Sequence, residues 1–167
     1  MYDKITERDI KRMEEEIKHR KLVIRKEALE DVKEARAHGD LSENFEYKAA
    51  KQYKNQNESR IRYLEKMIKT AKIIADDSEA DEVGLNNLVT IYSPEDDEEI
   101  TYKIVTTVRS NTLKGKIGID SPLGKALLHH KVSDKVSIKV NDTYSYEVII
   151  RKIEKTQDDG TDELSRY

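Results

Sequence analysis

Residues 34–47 read Glu34-Ala35-Arg36-Ala37-His38-Gly39-Asp40-Leu41-Ser42-Glu43-Asn44-Phe45-Glu46-Tyr47, and Gly39 is the only glycine among the first 75 residues, which hold no proline. A lone glycine in such a stretch suits the left-handed residue that closes one helix before another begins. Upstream, Ile10, Met13, Ile17, Ile24, Ala28, Val32 and Ala35 recur mostly at three- and four-residue steps, which makes one apolar seam. Thr6 and Asp9 have capping-box spacing and start that helix near residue 7. Downstream, Ala50, Tyr53, Asn57, Ile61, Leu64, Ile68, Ala71 and Ala75 repeat the pattern. Two helices of about 30 residues, each roughly 45 Å long at about 1.5 Å per residue, must run antiparallel when the break is this short. Their remaining faces are Lys, Arg, Glu and Asp. Residues 1–75 are therefore expected to form an antiparallel coiled-coil hairpin with an acidic tip at 38–44.

Beyond residue 75 the periodicity changes. Residues 76–83 are acidic and aperiodic, and we expect a linker. Leu88–Tyr92, Glu99–Val108, Lys116–Ile119, Val136–Val140 and Tyr144–Ile153 have strand character, and Ser121-Pro122 is the N-cap and first position of a short helix reaching Leu128. Five strands and one helix in residues 84–155 give a small α+β domain, so the whole chain is classed α+β. The polar run 156–167 is expected to be a disordered tail.

The 167 residues are 39% charged and contain no cysteine. Disulfides, thiolate catalysis and cysteine-ligated metals are excluded, and a reducing, cytoplasmic setting is expected. No apolar run approaches the roughly 18 residues that span a bilayer, and the N-terminus has no apolar signal core, so no membrane partner is expected. The net charge of -3 conceals a division. Residues 1–75 carry 19 Lys/Arg against 15 Asp/Glu, and residues 76–167 carry 12 against 19. Neither half is basic enough to hold duplex nucleic acid by counterion release alone.

Asp40 and Glu43 stand three apart where the second helix begins. One reading is a capping box with acids placed at the positive end of the helix dipole. The other is a pair of oxygen donors for a hard cation such as Mg2+, which wants six oxygens in near-octahedral array. Two carboxylates fill only part of that shell, so a partner must complete it. The readings are compatible, since a residue can cap in the free protein and coordinate in a complex.

The run from Glu34 to Asn44, continued by Glu46-Tyr47 and Ala49-Ala50-Lys51, resembles the signature of the Gre family of transcript cleavage factors. So does a second run, Gly115-Lys116-Ile117 followed by Asp120-Ser121-Pro122-Leu123-Gly124-Lys125-Ala126-Leu127-Leu128. The resemblance spans about residues 5–155. It implies an FKBP-like C-terminal domain that binds bacterial RNA polymerase, with Asp120, Ser121 and Pro122 at motif positions. It also implies a coiled coil that enters the secondary channel of the polymerase. There Asp40 and Glu43 would help hold the second catalytic Mg2+, and the polymerase would cleave the 3′ end of a backtracked RNA. On this reading the chain is no enzyme, has no cofactor of its own when free, shares Mg2+ only in the complex, and acts as a monomer. Arg36, Lys48 and Lys51 would contact the nascent RNA.

Two departures from the family pattern stand out. Phe45, the only phenylalanine, sits where the family usually has a small residue, and His129-His130 stands where it commonly has Gly before a basic residue. The His pair makes a poor metal site, because adjacent side chains diverge and no third ligand is near. Prolyl isomerase activity is rejected, since the C-terminal half has tyrosines but neither Phe nor Trp for an aromatic pocket. A standalone nuclease lacks a third metal ligand. Two alternatives remain open: a paralogue that occupies the channel without stimulating cleavage, and a structural coiled-coil adaptor.

Overall fold

The computed structural model describes residues 3–39 and 43–166. The chain divides into two compact units, one built on Ile10–Ala71 and the other on Lys4–Asp9 together with Lys72–Tyr167.

The first unit is the expected helical hairpin. Helix α1 spans Glu7–His19, a π-helical turn spans Arg20–Ile24, α2 spans Arg25–Ala37, and α3 spans Phe45–Thr70. Met13, Ala28 and Ala35 face Ile61, Leu64 and Met67 as the buried apolar set. The π turn falls within the seven-residue step between Ile17 and Ile24 of the seam and holds no buried residue. It presents the Arg20 carbonyl, which accepts from the Arg25 N–H five residues on and from Nδ2 of Asn57 on α3 (3.2 Å). Arg20 in turn donates to Asn57 Oδ1 (3.0 Å), and Glu16 accepts from both Arg20 (2.9 Å) and Arg60 (2.8 Å). Arg25 grips Glu58 with two hydrogen bonds. Asn57 is thus buried, at 2% exposure, as a satisfied polar member of the seam. Tyr53, expected in the seam, is 46% exposed; the buried stripe of α3 starts only at Asn57.

The main sheet of the second unit has five strands: β3 (Leu88–Ser93), β4 (Glu98–Val105), β5 (Lys116–Gly118), β6 (Lys135–Lys139) and β7 (Ser145–Glu154). They are ordered β5-β4-β3-β7-β6, all antiparallel except β4–β5. Alternation along them sends Val89, Ile91, Ile104, Val136, Ile138, Val148 and Ile150 into one core with Leu127 of the short helix α4 (Pro122–Leu127). Ser121 Oγ caps α4 by accepting from the Gly124 N–H (3.1 Å), with Pro122 in its first turn, as its sequence requires.

Three boundaries differ from the sequence reading. Lys4–Asp9 belongs to the second unit, because β1 (Lys4–Ile5) pairs in parallel with β2 (Lys72–Ile73) and the Ile5 side chain is fully buried. The acidic stretch 76–83 is organised around Lys155, whose Nζ donates to Ser78 Oγ (2.8 Å) and to the carbonyls of Glu79 (3.1 Å) and Glu82 (2.8 Å). The tail expected to be disordered is pinned along residues 156–166. Asp158 and Asp162 are buried, Asp162 takes ion pairs from Lys103, Arg109 and Lys116, and the Ser165 N–H donates to the Val108 carbonyl (2.6 Å). Composition pointed to disorder because these carboxylates find their cations only in the fold.

Candidate functional site

Among the described residues, His38, Gly39 and Asn44 shape the hairpin turn. His38 ends α2, and Gly39 follows with φ +130°, a conformation that favours glycine. Asn44 then caps α3: its Oδ1 accepts from the Tyr47 N–H (3.0 Å) while its Nδ2 donates to the Ala35 carbonyl (3.0 Å) and to the Gly39 carbonyl. One amide therefore satisfies an orphan donor of α3 and carbonyls at the end of α2.

This arrangement bears on the capping reading of Glu43. A capping box would place Glu43 at the third residue of α3, but the helix begins at Phe45, and Glu43 precedes the Asn44 cap. The expected capping role is corrected accordingly. Glu43 is exposed and takes no part in the cap. Asp40 lies outside the described residues. With His38, Gly39, Asn44, Phe45 and Glu46, Glu43 lines an open hollow of about 490 Å³. Among the described residues no group of three His, Cys, Asp or Glu side chains is placed to hold a metal ion.

The basic candidates surround the same turn. Arg36, exposed in the last turn of α2, donates from Nη2 to Tyr47 Oη (2.9 Å), and its guanidinium lies 5.3 Å from the Tyr47 ring centroid. Lys48 is exposed and sits 5.7 Å from the ring centroid of Phe45, which is itself 78% exposed. Lys51 is exposed one helical turn beyond Tyr47. Sequence reasoning missed Asn44 and the Arg36–Tyr47 pair. The first had a signal, an Asn directly before a helical pattern; the second needs the hairpin closed before it can be seen.

Asp120, Ser121 and Pro122 lie in the second unit. Asp120 is exposed and accepts from Thr107 Oγ1 (2.9 Å), Ser121 is committed to the α4 cap, and Pro122 is exposed. They rim a groove of about 490 Å³ with Ile117, Ile138, Val140 and Tyr146 in its lining. His129 adopts φ +67°, the left-handed conformation that favours glycine. Nδ1 of His130 pairs with Asp134 (3.1 Å).

Comparison with known proteins bears on both halves. Residues 4–73 match a family model described as transcription elongation factor, N-terminal, and residues 77–155 match one described as transcription elongation factor, GreA/GreB, C-term. Transcription elongation factor GreA of Lachnoclostridium phytofermentans is 40% identical over 147 residues, covering 87% of this chain and 92% of that protein. GreA of Bacillus licheniformis is 44% identical over 136 residues, covering 81% and 86%. Among solved structures, GreA factor homolog 1 (Gfh1) of Thermus thermophilus is 28% identical, covers 92% of this chain and 99% of that chain, and aligns with a TM-score of 0.42. No helix among the described residues is long and apolar enough to cross a membrane.

Proposed function

This chain belongs to the GreA/GreB family of transcription elongation factors, and from that premise we propose that it stimulates cleavage of backtracked RNA 3′ ends by bacterial RNA polymerase. The hairpin enters the secondary channel, and Asp40 and Glu43 together act as ligands to an ion whose other ligands belong to the polymerase. The chain itself is no enzyme; it acts in the cytoplasm as a monomeric cofactor of the polymerase. The observation that carries this reading is the cap: Asn44 fixes α3, so the Glu43 carboxylate is left exposed and outside the helix.

Asp40 and Glu43 would hold Mg2+ beside the scissile phosphate. Such an ion, when bound, supplies charge stabilisation and an activated water. What the chain contributes is position. Asn44 and Gly39 shape the turn, and the Arg36–Tyr47 pair braces one helix against the other. Lys48 and Lys51 offer exposed charge along α3 for RNA phosphate.

The test is RNA cleavage in stalled elongation complexes, with wild-type protein, Asp40→Asn and Glu43→Gln, beside circular dichroism of each variant. Loss of cleavage with helicity intact supports the proposal. Unchanged cleavage in both variants leaves the adaptor reading. A second reading is favoured by Phe45, whose ring stands exposed next to Glu43 where the family usually has a small residue. It is a channel-occupying paralogue that modulates polymerase without stimulating cleavage, and it wins if the wild-type protein leaves backtracked RNA no shorter than polymerase alone does.

A further inference from the structure

Lys103 on β4 and Lys116 on β5 are direct partners in the parallel register of the two strands, and β5 is an edge strand. Like charges placed opposite one another destabilise a sheet unless an anion lies between them. Here the anion comes from the tail. Oδ2 of Asp162 accepts from Lys103 Nζ (3.0 Å) and from Arg109 Nη1 (2.9 Å), while Oδ1 pairs with Lys116 Nζ (2.8 Å). Arg109 is fully buried, and its Nη2 has no hydrogen-bond partner among the described residues. Asp158, 3.8 Å from Arg109 Nη1, adds a second tail carboxylate, and its carbonyl accepts from Arg8. Asp9, from outside the tail, pairs with Arg109 Nε (2.7 Å). Without residues 156–166, Lys103 and Lys116 would lose the Asp162 carboxylate that lies between them.

We propose that Lys103, Arg109 and Lys116 form a carboxylate-binding site for an acidic peptide segment, and that the C-terminal tail of this chain is its resident, competing occupant. The tail has the chemistry of such a ligand: residues 156–167 hold four Asp/Glu and one Arg. They also lie beyond the segment matched by the C-terminal family model, which ends at residue 155. The tail is thus an autoinhibitory strap over the site, and an acidic segment of a partner binds only by displacing it.

The experiment uses the full chain, wild type and Asp162→Asn, titrated with a fluorescein-labelled synthetic peptide of residues 156–167 and followed by anisotropy. The peptide should bind the variant about tenfold more tightly than the wild type, the worth of one charge-assisted hydrogen bond. The same peptide carrying Asn at the Asp162 position should fail to compete. Amide exchange provides the companion readout: tail amides should be protected in the wild type and faster in Lys116→Gln, a change at a half-buried strand residue that leaves Arg109 paired with Asp9. Equal peptide affinity for wild type and variant, no affinity for the variant, or unprotected tail amides in the wild type would each overturn the proposal.

Discussion

Asp9 and Arg109, a hundred residues apart in sequence, form an ion pair of 2.7 Å in which both side chains are fully buried. The same carboxylate also completes the capping box of α1. Its Oδ2 accepts from the Thr6 N–H (2.9 Å) and from Thr106 Oγ1 (2.7 Å), while the Asp9 N–H donates to Thr6 Oγ1 (3.1 Å). A residue whose sequence signature is local therefore serves a long-range function: it ties the N-terminal segment to Arg109 within the second unit.

Asp9→Ala removes the carboxylate on Arg109 Nε together with the α1 capping box, while Asp162 still faces the guanidinium at Nη1. It should cost about 2–3 kcal/mol, more than the roughly 1 kcal/mol of a lost cap alone. Urea unfolding of the full chain measures this. A loss near 1 kcal/mol would mean that the pair adds nothing beyond the cap.

Acid should loosen the tail. Burial pushes Asp162 up, but hydrogen bonds from Lys116, Lys103 and Arg109 outweigh it and bring its pKa from 3.8 down to about 2. A depressed folded pKa contributes stability above the unfolded value that is lost as pH falls towards the folded one. The contribution is on the order of 2 kcal/mol, present at pH 7 and lost between about pH 5 and pH 2. Asp162→Asn should flatten that part of the stability profile. Glu16 acts in the same direction within the hairpin: burial raises it, and bonds from Arg60 and Arg20 more than offset this to lower it.

At the turn, stability and activity should separate by residue. Asn44→Ala removes the cap of α3 and the ties to α2, and should cost about 1 kcal/mol, within the usual 0.5–2 for caps. Glu43→Gln should leave thermal unfolding unchanged while reducing RNA cleavage. Equal stability losses for the two variants would mean that Glu43 takes part in the cap after all.

Phe45→Ala removes a ring that is already 78% exposed, so stability should move by less than about 0.5 kcal/mol. Any effect should fall on the cleavage assay or on cross-linking to RNA, since base stacking on an exposed ring is worth roughly 1–3 kcal/mol. An unchanged result in both assays would reduce Phe45 to a bystander.

Gly124→Ala tests the seating of α4. A Cβ at Gly124 would lie 2.1 Å from the Gly118 carbonyl oxygen, so the helix must back away from β5. A destabilisation of about 3 kcal/mol is expected, at the upper end of the usual cost of overpacking because the obstruction is backbone.

Periodicity was enough to place both helices of the hairpin, the Thr6–Asp9 box, the Ser121-Pro122 helix start and all five strands of the main sheet, because each follows from spacing between near neighbours. The π turn left no signal in the spacing, and the Asn57 side chain that meets its Arg20 carbonyl comes from another helix. Arg109, Asp158 and Asp162 look like ordinary surface charges in sequence, and only long-range closure makes them a buried cluster. At the turn the cap was assigned to the wrong side chain: the spacing of Asp40 and Glu43 drew attention from Asn44, whose preference for that role is as strong.

The pairing of β1 with β2 makes the helical hairpin an insertion within one folding unit, since residues 10–71 depart from and return to neighbouring strands of it. The two halves of this chain are for that reason not interchangeable modules. A chimaera cut at the apparent boundary near residue 75 would separate Arg109 from Asp9, whereas grafting 10–71 alone onto a relative would keep both ends of the graft anchored in native surroundings.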